Sequence, residues 1–152
     1  MRRLLFFAFL AVSLVSCASC SKNTATPASN NNTNPTGSKM KIQIGSSTFT
    51  AMLYDNATST AFKSLLPLTV NMVDLNGNEK YVDLPRSLPT NASNQGTIQN
   101  GDLMFYGSST LVLFYKTFST SYSYTKLGRI DDANGLADAL DFGNVKVTYA
   151  LE

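Results

Sequence analysis

Leu103-Met104-Phe105-Tyr106 and Leu111-Val112-Leu113-Phe114-Tyr115-Lys116-Thr117 are two apolar runs separated by Gly107-Ser108-Ser109 and Thr110. Runs this short, rich in aromatic and branched residues and broken by turn formers, read as a pair of strands rather than a helix. The same period-two texture continues on both sides. Toward the N-terminus, Leu68–Val73 and Glu79–Leu84 flank Asn76-Gly77, a strong hairpin signal. Before them, Lys41–Ile44 alternates cleanly and Gly45-Ser46-Ser47 turns into Thr48–Tyr54, where Phe49, Ala51 and Leu53 share one face. Toward the C-terminus, Lys126–Asp131 and Val145–Tyr149 add two further strands.

Two segments break the pattern. Ala57, Ala61, Phe62, Leu65 and Leu66 fall near helical spacing, so a helix is expected from a cap at Asn56 or Thr58 through Leu66, stopped by Pro67. Asn134–Leu140 is a second short helix, with Asp132 or Asn134 as its cap. Pro85–Asn100 carries Pro85, Pro89, Asn91, Asn94, Gly96 and Asn100 and is expected to be a long loop. The fold class is therefore all-β, with eight strands and two short helices over residues 40–152, and closure into a barrel would remove exposed sheet edges.

Composition limits the chemistry. The chain has 152 residues, two Cys, no Trp and no His. The length suits one ordinary domain, and without histidine there is no Ser-His or Cys-His nucleophile pair and no His-ligated zinc. No Gly-rich phosphate loop or dinucleotide fingerprint occurs, so no cofactor and no metal is expected. The net charge of +2 resides in the N-terminal part, because residues 40–152 hold eight Lys and Arg against ten Asp and Glu. Nucleic-acid binding is not expected of such a body.

The N-terminus has the layout of an export signal: Met1-Arg2-Arg3, then the apolar run Leu4–Val15, then small residues and cysteine. An apolar run of this length falls short of the ~20 residues that span a bilayer. Leu14-Val15-Ser16-Cys17 resembles the bacterial lipoprotein box, which implies cleavage before Cys17 and a lipid on its thiol; Cys20 is the alternative lipidation site. A plain secretory signal is the other reading. Residues 1–16 are thus expected to be a signal peptide, and residues 17–39 a lipidated cysteine and disordered tether. Ser21–Lys39 has no large apolar residue and is rich in Asn, Thr and Ser; as a flexible coil it would reach about 25 Å. The expected location is the bacterial cell envelope, lipid-anchored, in the outer membrane facing periplasm or surface.

The order of elements is similar to that of cyclophilins. Gly101–Gly107, Leu111–Lys116 and Ser121–Ile130 resemble the small bacterial cyclophilin-like family, with Leu136–Leu140 like its second helix, and the likeness covers Met40–Glu152. It implies an eight-stranded closed cyclophilin-like barrel. It also implies a comparison with prolyl isomerases, which carry an arginine after a histidine on a barrel strand, a second histidine and commonly a tryptophan. Here Tyr81-Val82-Asp83-Leu84-Pro85 sets Asp83 where that arginine belongs, and an ionised carboxylate cannot donate a hydrogen bond to a twisted amide. Arg86 is the remaining candidate donor for a weak peptidyl-prolyl isomerase.

The expected function is a binding module without catalysis, for a peptide or small ligand in an aromatic groove. A weak isomerase, or an assembly subunit with an envelope protein partner, are the alternatives. The candidate ligand-binding residues are Tyr81, Arg86, Tyr106, Phe114, Tyr122 and Tyr124, since tyrosine joins apolar area to a hydrogen-bonding tip. Tyr122–Thr125, read as a loop after a strand, is the first place to expect contacts. Arg129 beside Asp131 and Asp132 reads as a strand-end salt bridge with a helix cap. Glu79 and Asp83 share a strand face and, with Lys80 and Arg86 nearby, read as surface charges.

Overall fold

The computed structural model describes residues 34–140 and 143–152. The expected signal peptide, Cys17, Cys20 and most of the tether lie outside the described residues. In chain order the elements are β1 (Lys39–Ile44), β2 (Ser47–Leu53), α1 (Ala57–Lys63), β3 (Leu68–Leu75), β4 (Glu79–Asp83), β5 (Ser93–Asn94), β6 (Thr97–Ile98), β7 (Asp102–Tyr106), β8 (Thr110–Phe114), β9 (Phe118–Ser119), β10 (Ser123–Ile130), α2 (Leu136–Leu140) and β11 (Val145–Leu151).

Eight of these strands close a ring in the order β2-β1-β11-β3-β4-β8-β7-β10, and β10 returns to β2. Every pairing is antiparallel. Closure depends on Gly128, which sits opposite Leu53 just after a register shift in the β10–β7 ladder. A Cβ there would lie 2.8 Å from the Met52 carbonyl oxygen and 3.1 Å from Leu53 Cδ2, so the two strands can approach only because the side chain is absent.

The inward residues of each strand fill the ring. Met40, Ile42, Ala51, Leu53, Leu103, Phe105, Leu111, Leu113, Leu127, Val147 and Tyr149 are buried in one cluster. The helices complete it: Phe62 of α1 meets the rings of Phe105 and Tyr149 edge-on at 6.1 and 6.0 Å, and α2 adds Leu136 and Leu140. A seven-residue helix cannot hold itself in water, so α1 depends on these contacts and on Asn56. The Asn56 side chain accepts from Ser59 N at 2.8 Å and donates to the Lys126 carbonyl at 2.9 Å.

Several boundaries differ from expectation. The first strand starts at Lys39, and Gly37 N already donates to the Leu53 carbonyl at 2.8 Å. The first helix stops at Lys63, because Leu65 N and Leu66 N bond back three residues to Phe62 and Lys63 in tighter turns. The second begins at Leu136, after a turn in which Asp132 accepts from Asn134 N at 3.0 Å. At the predicted hairpin, Asn76 and Gly77 take φ of 56° and 64°, and the left-handed turn carries β3 on to Leu75.

The largest correction concerns the segments expected to be loops. Residues 85–100 contain β5 and β6, which pair with β10 and β9 respectively. The segment is pinned further by Leu88 N to the Ser108 carbonyl at 2.8 Å and by Thr58 Oγ1 to the Pro89 carbonyl at 2.6 Å. Of the stretch Tyr122–Thr125, all but Tyr122 belongs to β10, which starts three residues earlier than expected. Its alternation of Tyr with Ser and Thr is strand texture, and pairing with both Phe105 and β5 holds it extended.

Candidate functional site

The outer face of β4, β8 and β7 is built from cross-strand rows. Asp83 lies opposite Thr110, and Thr110 opposite Tyr106. In the next row Tyr81 faces Val112 and Val112 faces Met104; in the third, Glu79 faces Phe114. Because side chains alternate across a sheet, these residues point away from the interior that Leu111 and Leu113 fill. A second apolar cluster forms here from Ile98, Met104, Val112, Phe114 and Tyr124, with Tyr81 and Phe118 packed against it.

The rings of this cluster make a continuous series. Phe118 meets Phe114 at 5.8 Å, Phe114 meets Tyr124 edge-on at 5.3 Å, Tyr124 meets Tyr106 at 5.7 Å and Tyr106 meets Tyr122 edge-on at 6.2 Å. The inner rings are buried, whereas Tyr106 is 49% and Tyr122 62% exposed. A cleft of about 590 Å³ opens over them, walled on one side by the β3–β4 turn with Leu75 and Asn78 and on the other by Ser119–Tyr122. That volume lies within the range of small-molecule sites.

The structure brings together four of the residues singled out by sequence: Tyr81, Tyr106, Tyr122 and Tyr124 all line the cleft. Phe114 lies beneath them, fully buried, where its ring supports the floor. Arg86 is exposed on the connection after β4 and stands outside the lining. Asp83, which the resemblance to cyclophilins led one to expect in place of the isomerase arginine, does line the cleft and accepts from Thr110 Oγ1 at 2.5 Å.

Glu79 is not the surface charge that sequence suggested. Its side chain is in the cleft lining yet only 8% exposed, and burial, followed by the nearby Asp74 carboxylate, pushes its carboxyl above the usual range. The adjacent Lys80 points through the sheet the other way, so it does not serve Glu79. Four residues along a strand separate Cα atoms by about 13 Å, so Glu79 and Asp83 do not form a glycosidase acid pair, whose carboxyls are roughly 5 to 9.5 Å apart. Burial pushes the Tyr124 phenol up to about 12, the Glu79 charge adding to the effect, so it remains a neutral hydroxyl.

Arg129 also differs from expectation. Its Nε lies 3.3 Å from Asp102 Oδ1, its cross-strand neighbour on β7, and the adjacent aspartates are not its partners. Among the described residues, no three Cys, Asp or Glu side chains gather as metal ligands would. What sequence reading missed in the site is the burial of Glu79 and the part played by Asn78. The shared parity of Glu79, Tyr81 and Asp83 was a usable signal for the first of these.

The sequence matches the model of the cyclophilin-like family over residues 42–150. No curated protein matches it significantly. Among solved structures, the solution structure of a hypothetical protein from Archaeoglobus fulgidus is similar at 16% identity with a TM-score of 0.52, over 80% of this chain and 99% of that one. At that identity the likeness concerns the fold alone.

Proposed function

Since the chain belongs to the cyclophilin-like family, and that fold is shared by proteins that need not share chemistry, we propose from the site itself that it is a non-catalytic binding module for a peptide or small ligand. One observation carries this reading. The barrel interior is filled by its own cluster, yet a second set of aromatic residues lies outside it and ends in two exposed tyrosines at a concave opening. Aromatic area of that kind, joined to a few polar groups, is the usual make-up of a ligand site.

A ligand in the cleft stabilises the folded state by mass action. At a hundred times its Kd the gain is about 2.7 kcal/mol, a rise in Tm of roughly 5 to 10 °C for a domain of this size. Thermal-shift screening with short peptides, nucleotides and flavins is expected to find at least one compound with this effect, and Tyr106→Ala to abolish it. Failure of every compound, or an undiminished shift in Tyr106→Ala, would remove the cleft from consideration.

The N-terminal layout supports an envelope address for this module, with Cys17 as the lipid-bearing residue and Ser21–Lys39 as its tether. Radiolabelled palmitate is expected to mark the exported protein and not Cys17→Ala. Label retained in that variant would transfer the anchor to Cys20, and absence of label from both would leave a plain secretory signal.

A further inference from the structure

Glu79 lacks a partner within the described fold. The residue is only 8% exposed and lines the cleft, and no hydrogen bond or ion pair reaches its carboxylate from the described residues. A carboxylate partly desolvated at the bottom of a cleft without a partner is costly to ionise, and such groups are enriched at sites of use. The carboxylate behind it, Asp74, is already satisfied, taking Lys80 Nζ at 2.8 Å, Tyr115 OH at 2.6 Å and Gly77 N at 3.1 Å. Beside Glu79 in the lining, Asn78 Oδ1 is buried without a hydrogen-bond partner. Two acceptors thus wait at one end of the cleft.

The remainder of the lining has the same sign. Asp83 adds a second carboxylate, and among the described residues no Lys or Arg lines the cleft. Tyr81, Tyr106 and Tyr122 supply rings, whose negative faces attract cations. An anionic ligand would meet repulsion here, and a purely apolar one would leave Glu79 buried and unpaired.

We infer that the cleft takes an organic cation, an ammonium or guanidinium on an apolar stem, with the charge at Glu79 and Asn78 and the stem across the aromatic floor. This rests on the binding-module reading of the same cleft. The chemistry is that of a lysine or arginine side chain in a peptide, and equally of a free alkylamine.

The test compares ligands that differ only in the charge. N-acetyl-lysine N-methylamide, its norleucine counterpart, which lacks the ammonium, and pentylamine are titrated calorimetrically into the full-length protein at neutral pH. The lysine compound is expected to bind about tenfold or more tighter than the norleucine compound, the worth of a hydrogen-bonded charge. Glu79→Gln is expected to reduce it to the norleucine level. Pentylamine matching the lysine compound supports the cation with free amines as its source, and weaker pentylamine supports it with peptides as the source. Equal affinities for the lysine and norleucine compounds in the wild type overturn the cation and leave the cleft as a ligand site. No binding by any of the three, together with no hit in the thermal screen, overturns both.

Discussion

Lys80→Ala is expected to cost about 3 to 5 kcal/mol of folding stability, through loss of a fully buried stem together with its ion pair to the partly exposed Asp74. The Lys80 side chain is 0% exposed although it belongs to a barrel strand. Its Nζ donates to Asp74 Oδ1 and to the Gly143 carbonyl, both at 2.8 Å, and the residue opposite it on β8 is Leu113. Alanine removes the apolar stem from the wall and leaves Asp74 with Tyr115 and Gly77 as donors. Lys80→Met separates the two effects, since it restores the stem and still lacks the charge. Urea midpoints of the three proteins measure both, and a loss below about 1 kcal/mol in Lys80→Ala would mean that desolvation of the pair cancels its attraction.

The same pair has a signature in acid. The hydrogen bond from Lys80, then that from Tyr115, holds the Asp74 carboxyl below its ordinary range. A carboxyl depressed in the folded state contributes fully above its unfolded value, near pH 3.9, and the contribution disappears as pH falls through the folded value. Wild-type stability is therefore expected to decline below about pH 4 more steeply than that of Lys80→Met, when midpoints are followed down to pH 3. Parallel declines would assign the acid sensitivity to other carboxyls.

Phe62→Ala is the second large effect, also about 3 to 5 kcal/mol, because a fully buried ring leaves a cavity as well as losing its own transfer energy. Phe62 is where α1 enters the barrel, and its two edge-on contacts join the helix to Phe105 on β7 and Tyr149 on β11. Ser59 adds a hydrogen bond from its hydroxyl to the Leu127 carbonyl at 2.8 Å, which anchors only one end of the helix. Phe62→Leu keeps most of the volume and is expected to cost about 1.5 kcal/mol or less. Similar urea midpoints for the two variants would show that α1 is not held by ring packing.

The barrel was legible because its information is local. Period-two alternation marks which residues of Lys41–Ile44, Thr48–Tyr54 and Val145–Tyr149 face inward, Asn76-Gly77 marks a hairpin, and a sheet with no cysteine after Cys20 to brace it gains by closing its edges. Tyr81, Tyr106, Tyr122 and Tyr124 were legible from residue type, since tyrosine joins apolar area to a polar tip, although Tyr124 was expected on a loop and lies on β10. The two-residue strands β5, β6 and β9 were not, since a run of two has no period and exists only because distant chain supplies the pairing.

Residue type and spacing alone were thus enough for a mainly β body, its ring of eight strands, the absence of imidazole chemistry and the tyrosines of a candidate surface. Only the tertiary structure decided which side of that surface each charge occupies. Glu79 and Lys80 are neighbours in sequence and look like exposed partners, but the pleat sends one outward under the cleft loops and the other inward to Asp74 and the Gly143 carbonyl. Burial of a charge depends on what the rest of the chain lays over it, and no window of sequence around the residue contains that cover.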